Sequence, residues 1–111
     1  CGGDRDVGKR PLMGQVAEKL ADTVYLTSDN PRSESPQQIL EQIKRGMDDS
    51  MSVRVDADRR VAIETALHEA CPGDVVVIAG KGDEPYQLLA DGPIEFDDRL
   101  IAREVLKQAA Q

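Results

Sequence analysis

At 111 residues the chain has the length of a single domain, and a domain of that size buries roughly two-thirds of its unfolded surface, enough for one modest core. Fourteen basic residues stand against 21 acidic ones, a net charge of −7, which argues against a general nucleic-acid or membrane-surface binder because phosphate contacts need clustered Lys and Arg; a small anionic ligand held by a few local groups is still compatible. The only aromatic residues are Tyr25, Tyr86 and Phe96, with no Trp, so the core must be aliphatic, as when helices pack on a Val/Ile/Leu sheet.

The chain opens on Cys1-Gly2-Gly3, a glycine turn of the kind that follows a strand, and we read it as a fragment whose first strand lies upstream. A helix is predicted over 10–21, with Leu12, Met13, Val16, Ala17, Leu20 and Ala21 as its apolar stripe and Pro11 in its first turn. Thr23 to Thr27 (TVYLT) is β-branched and aromatic, a short buried strand, ended by Asp29-Asn30-Pro31-Arg32. A second helix starts at Ser35-Pro36-Gln37-Gln38, where Ser35 caps, Pro36 suits the first helical position and Gln38 completes a capping box; Ile39, Leu40, Ile43 and Met47 form its buried face and Gly46 lies near its stop.

Met51 to Val55 alternates as a strand. Asp56 or Asp58 caps a third helix with the stripe Val61, Ala62, Ala66, Leu67 and Ala70. After the Pro72-Gly73-Asp74 turn, Val75-Val76-Val77-Ile78-Ala79 is the most hydrophobic run, expected as a central strand buried on both faces. A glycine-rich loop, Gly80 to Glu84, follows, then an extended segment over 85–96. Asp97 or Asp98 caps a last helix bearing Leu100, Ile101, Val105 and Leu106. This alternation predicts an α/β, Rossmann-like, mainly parallel sheet with helices on both faces. Ligands on such sheets bind beyond the carboxyl ends of the strands, where three polar loops fall: Gly2–Lys9, Ser28–Ser33 and Gly80–Glu84.

Each loop has two readings. Gly3 through Lys9 fits GxxxxGK, but the next residue of a phosphate loop must be Ser or Thr to hold magnesium, and here it is Arg10, so a complete site of that kind is rejected. What remains is either a charged strand-to-helix turn or a ligand loop in which backbone N–H groups and Arg5 meet an anion. Turn chemistry accounts for Asp29 to Pro31, whereas Arg32 can also grip a carboxylate through two parallel hydrogen bonds. Gly80 and Gly82 either permit a sharp bend or admit a ligand to the backbone, with Glu84 accepting from an ammonium. His68 reads as solvated, Asp48 and Asp49 as a surface loop, and Asp97 and Asp98 as cap residues. One His and two distant cysteines make no zinc pattern. The two cysteines form no framework, and there is no signal-peptide pattern and no apolar run near ~20 residues, so a reduced cytoplasmic setting is expected.

Three strings, GGDRDVGKRPLMG (Gly2 to Gly14), TSDNPRSESP (Thr27 to Pro36) and AGKGDEPYQ (Ala79 to Gln87), together resemble the C-terminal domain of the Mur ligases, in the branch that adds meso-diaminopimelate. Asp58-Arg59-Arg60-Val61-Ala62-Ile63 and Phe96-Asp97-Asp98-Arg99 fit as well, so the resemblance spans the chain, and DNPR is its most specific element. It implies residues 1–111 of a three-domain enzyme in peptidoglycan biosynthesis whose other domains hold UDP-N-acetylmuramoyl-L-alanyl-D-glutamate, ATP and Mg2+, the latter two in a central domain with a carbamylated lysine. ATP would phosphorylate the D-glutamyl side-chain carboxylate, and the diaminopimelate amine would attack the acyl phosphate.

On this chain the resemblance implies an amino-acid site of Arg5, Asp29, Asn30, Arg32, Gly80 and Glu84. Arg32 with Asn30 would take the carboxylate at the non-reacting end; Glu84, the Gly80 carbonyl and Asp29 its ammonium; Arg5 another carboxylate. Asp4 is carried over to the nucleotide ribose. No catalytic residue and no metal ligand is expected in this domain, and the isolated 111 residues are expected to be inactive. A lysine-adding ligase, a folylpolyglutamate-synthetase-like domain and a stand-alone amino-acid-binding module are the rivals; DNPR speaks against the first and GKGDE against the second.

Overall fold

The computed structural model describes residues 1–48 and 53–109. Its elements are α1 (Lys9–Leu20), β1 (Val24–Leu26), α2 (Pro36–Lys44), β2 (Val53–Val55), α3 (Arg59–Glu69), β3 (Tyr86–Leu89), β4 (Gly92–Glu95) and α4 (Asp98–Ala109). The fold is mixed α/β with a parallel sheet: β1 and β2 pair in parallel, Val24 beside Val53 and Leu26 beside Val55. β3 and β4 form a separate antiparallel hairpin, Tyr86 beside Glu95 and Leu89 beside Gly92, which gives form to the extended segment expected at 85–96. Asp49, and Met51 at the start of the expected second strand, lie outside the described residues. No described helix is long and apolar enough to cross a membrane.

The core is aliphatic, as the composition requires. Val24 and Leu26 of β1 meet Ile39, Leu40 and Ile43 of α2, with Cys1, Ala17, Met47, Val53 and Ala57 half-buried around them. Each such side chain removed from water contributes about 1.5–3 kcal/mol. The α2 stripe is therefore the one the sequence predicts. Helices α1 and α2 touch through glycines: a Cβ on Gly14 would stand 2.1 Å from the Ile43 carbonyl oxygen, and one on Gly46 1.8 Å from that of Pro11.

Several expectations are corrected. In α1 the face turned inward carries Arg10 and Gly14, with Ala17 against the core. Leu12, Val16 and Leu20 are 58, 53 and 80 % exposed; two positions from Gly14 is a rotation of about 200° on a helix, so the apolar stripe points away from α2. The run Val75 to Ala79 is not a doubly buried strand. No described strand pairs with it, and Val75 and Val77 are 86 and 80 % exposed. Burial on both faces needs sheet neighbours, and the parallel pairing among the described residues stops at β1 and β2.

At α2, Ser35 makes no side-chain cap bond; its hydroxyl lies 3.4 Å from Gln37 Oε1 instead, so the capping box does not form. Asp58, not Asp56, caps α3, accepting from the Val61 N–H at 3.2 Å. In α3 the buried apolar residues are Ala62 and Ile63, while Val61 is exposed. Among the described apolar residues of α4 only Val105 is buried, with Leu100 and Leu106 on the surface. Asp97 caps α4 by accepting from the Arg99 N–H at 2.9 Å. Asp98 does not act as a cap: it is buried in an ion pair with Arg59. His68 is exposed on α3, and Asp48 is exposed with its N–H donating to Glu18 Oε2.

Candidate functional site

The loop before α1 is fastened to the loop after β1. The Gly3 N–H donates to the Asn30 carbonyl at 2.7 Å, and Arg32 Nη1 donates to the carbonyls of Gly3 at 2.8 Å and Asn30 at 3.4 Å. Only glycine fits at position 3, because a Cβ there would stand 1.8 Å from the Pro31 carbonyl oxygen. At Gly2 a Cβ would meet Arg32 Nη1 at 2.7 Å and Arg5 Cγ at 3.6 Å. Arg5 and Arg32 therefore converge on one glycine. Asp4 and Arg32 both hold a left-handed backbone, φ 56° and 52°, a conformation that non-glycine residues adopt at a cost and that concentrates at binding sites.

Arg10, the residue that breaks the phosphate-loop pattern, is the clamp behind this junction. It is 1 % exposed and forks onto Glu34, Nη1 to Oε2 and Nη2 to Oε1, both at 2.9 Å. It also donates to Gln42 Oε1 at 2.6 Å and to the Gly2 carbonyl at 3.1 Å. Glu34 Oε1 accepts from the Asp4 N–H at 2.6 Å. Hydrogen bonding from Arg10 first, then from the Asp4 backbone, holds the Glu34 carboxyl down to about 2. The Asp4 carboxylate in turn accepts the Ser33 hydroxyl at 2.7 and 2.9 Å. Its observed partner is thus a neighbouring loop.

The hairpin strand β3 closes the other side. The Leu88 N–H donates to Asn30 Oδ1 at 2.8 Å, the Arg32 N–H to the Leu88 carbonyl at 3.0 Å, and Gln87 Nε2 to the Asp29 carbonyl at 2.6 Å. Asn30 is 4 % exposed, and with its side-chain oxygen taken by Leu88 only its amide NH2 remains to donate. Gly80, at φ +113°, runs so close to Asp29 that a Cβ would lie 3.1 Å from Oδ2. Asp29 Oδ1 is buried and has no hydrogen-bond partner among the described residues. An isolated buried carboxylate oxygen costs several kcal/mol unless something satisfies it.

Glu84 Oε2 accepts the Tyr86 hydroxyl at 3.1 Å. That bond and the Glu84 charge push the Tyr86 phenol up, and the Arg32 guanidinium opposes them. Lys81, 2 % exposed, ties the glycine loop to β3 by donating to the carbonyls of Glu84, at 2.8 Å, and Tyr86. Its ammonium also lies 6.0 and 5.9 Å from the Tyr86 and Phe96 ring centres. The three segments singled out in the sequence thus meet. Arg10, Lys81 and Arg59 are the residues that sequence reasoning missed, and their signal was a basic residue at a position that burial would otherwise forbid.

Two shallow concavities, about 190 and 620 Å³, lie elsewhere, along β2 and the flanks of α3 and α2. The described residues contain no group of three His, Cys, Asp or Glu side chains arranged to hold a metal.

Residues 1–82 match the family described as "Mur ligase, glutamate ligase domain". The chain is 56 % identical over 106 residues, 96 % of its length, to the UDP-N-acetylmuramoyl-L-alanyl-D-glutamate–2,6-diaminopimelate ligase of Prochlorococcus marinus, covering 21 % of that protein. It is 55 % identical over 109 residues to the ligase of the same name from Syntrophomonas wolfei, covering 96 % of the chain and 22 % of the relative. A solved structure of a ligase of that name superimposes on the whole chain with a TM-score of 0.95 at 46 % identity, over 23 % of its own length. The chain therefore spans about a fifth of the length of the curated relatives it matches.

Proposed function

The chain belongs to the Mur ligase family, and from that premise we propose that residues 1–111 are the C-terminal domain of a cytoplasmic ligase that adds meso-diaminopimelate to UDP-N-acetylmuramoyl-L-alanyl-D-glutamate. The domain holds the incoming amino acid and presents its amine to the activated D-glutamyl carboxyl carried by the rest of the enzyme. Arg32 uses Nη1 on the backbone, which leaves Nε and Nη2 to fork onto the distal carboxylate; the Asn30 amide NH2 assists. Glu84, the Gly80 carbonyl and the partnerless Asp29 oxygen take the distal ammonium. Arg5, beside Arg32 at Gly2, takes the second carboxylate. Closure of another domain over these loops would exclude water as the amine attacks. The observation that carries this reading is that the loop after β1 holds both a half-committed guanidinium, Arg32, and a buried Asp29 carboxylate oxygen without a hydrogen-bond partner among the described residues, with Gly80 against that same carboxylate.

The residues present do not fit Mg2+ or a nucleotide triphosphate cradle. Arg10 stands where a hydroxyl would be needed and is consumed by Glu34, so ATP and Mg2+ are assigned to the remainder of the enzyme. Asp4 as a ribose contact would share its carboxylate with the Ser33 hydroxyl. The test is amino-acid-dependent phosphate release by the full-length ligase bearing this domain. Turnover with meso-diaminopimelate well above that with L-lysine is expected. Equal turnover with both, or none with either, would overturn the assignment.

A further inference from the structure

One side-chain pair outside the amino-acid site reaches both of the loops that build it. Arg59 and Asp98 are 4 and 5 % exposed. They are joined two-pronged, Nε to Oδ1 at 2.8 Å and Nη2 to Oδ2 at 2.6 Å. The guanidinium also donates from Nη1 to the Ser28 carbonyl at 2.8 Å and from Nη2 to the Ala79 carbonyl at 3.1 Å. Ser28 and Ala79 are the residues immediately before Asp29 and Gly80. We propose that Arg59, aimed by Asp98, is a positioning residue for the amino-acid site. It fixes the spacing between the loop that carries Asp29, Asn30 and Arg32 and the loop that carries Gly80 and Glu84. This rests on the functional reading above.

Geometry favours this role over simple ballast. Arg59 is the first residue of α3, where a cation opposes the helix dipole, and burying an ion pair adds little net stability compared with apolar packing. What four directed bonds from one planar group do supply is a fixed distance between the two loops that carry Ser28 and Ala79. A Cβ on Gly80 would lie 3.1 Å from Asp29 Oδ2, so a small change in that spacing alters where the distal ammonium would sit. Arg59→Lys keeps the charge but cannot span Asp98 and both carbonyls at once. Asp98→Asn keeps the shape but sets an amide NH2 against Nη2.

The test uses the full-length ligase with either substitution, varying diaminopimelate, ATP and the UDP-linked substrate in turn. The KM for diaminopimelate is expected to rise on the order of tenfold or more, with the other two KM values within about twofold. Saturating diaminopimelate should raise the melting temperature of the unsubstituted enzyme and fail to raise that of the variants at the same concentration. A proportionate change in all three KM values, a fall in kcat alone, or loss of folding by both variants would assign the pair to the core and overturn the proposal. Absence of diaminopimelate-dependent turnover in the unsubstituted enzyme would instead overturn the functional reading on which it rests.

Discussion

On the proposed reading Arg32 separates backbone duty from ligand duty by atom. Its Nη1 secures Gly3 and Asn30, and the rest of the fork is left for a carboxylate. Arg32→Lys in the full-length ligase is therefore expected to raise the KM for diaminopimelate by about 10- to 100-fold, because hydrogen bonds to a charged group contribute roughly 1.5–3 kcal/mol. The KM for ATP should stay within about twofold; steady-state kinetics with each substrate varied would check this, and equal effects on both would contradict the role. Glu34 makes a prediction in pH. Its folded value, about 2, lies below its ordinary 4.5, so its contribution to stability is complete above pH 4.5 and is lost as pH falls towards 2. Glu34→Gln should flatten that part of the stability profile, measured by melting temperature between pH 2 and 5. An unchanged slope would show that Arg10 does not depend on the carboxylate.

At the scale of elements, the α1–α2 contact depends on two missing side chains. Gly14→Ala and Gly46→Ala each place a methyl inside van der Waals distance of a backbone carbonyl. Overpacking of this kind costs about 1–3 kcal/mol, more than the ~1 kcal/mol that Ala gains over Gly in a helix. Both variants should melt several degrees lower, and a rise would mean that the helices separate freely. The sequence reading of α2 was sound because Ile39, Leu40 and Ile43 recur at helical spacing and have one place to go. That of α1 failed because Leu12, Val16 and Leu20 repeat equally well, yet the inward face is set by Gly14, whose signal is the absence of a side chain. The Val75 to Ala79 run shows a related limit: hydrophobicity marks a segment fit for burial, while its neighbours decide whether burial happens. The three polar loops were legible because turn chemistry marks each of them, although among the described residues only the loop after β1 follows a strand of the parallel sheet. Asp98 was not legible, because a carboxylate at a helix start reads as a cap until its partner 39 residues away is seen.

For the molecule as a whole, the fold supplies a junction of loops. Loops from both ends of the chain are locked together by buried cations, Arg10, Arg59 and Lys81, despite a net charge of −7. These cations are consumed by carboxylates and carbonyls, and on the proposed reading Arg5 and the outer edge of Arg32 meet the anionic groups of the ligand. On this account the 111 residues alone release no phosphate from ATP in the presence of all substrates, and detectable ligation by them would contradict the division of labour between domains. The most direct test of the central claim is the ratio of kcat/KM for meso-diaminopimelate to that for L-lysine, measured in the full-length ligase and in its Arg32→Ala variant. A site built around the distal carboxylate predicts a large ratio, on the order of 10⁴, that collapses by at least tenfold when the guanidinium is removed. A ratio that survives the substitution intact would mean that the amino acid is recognised elsewhere.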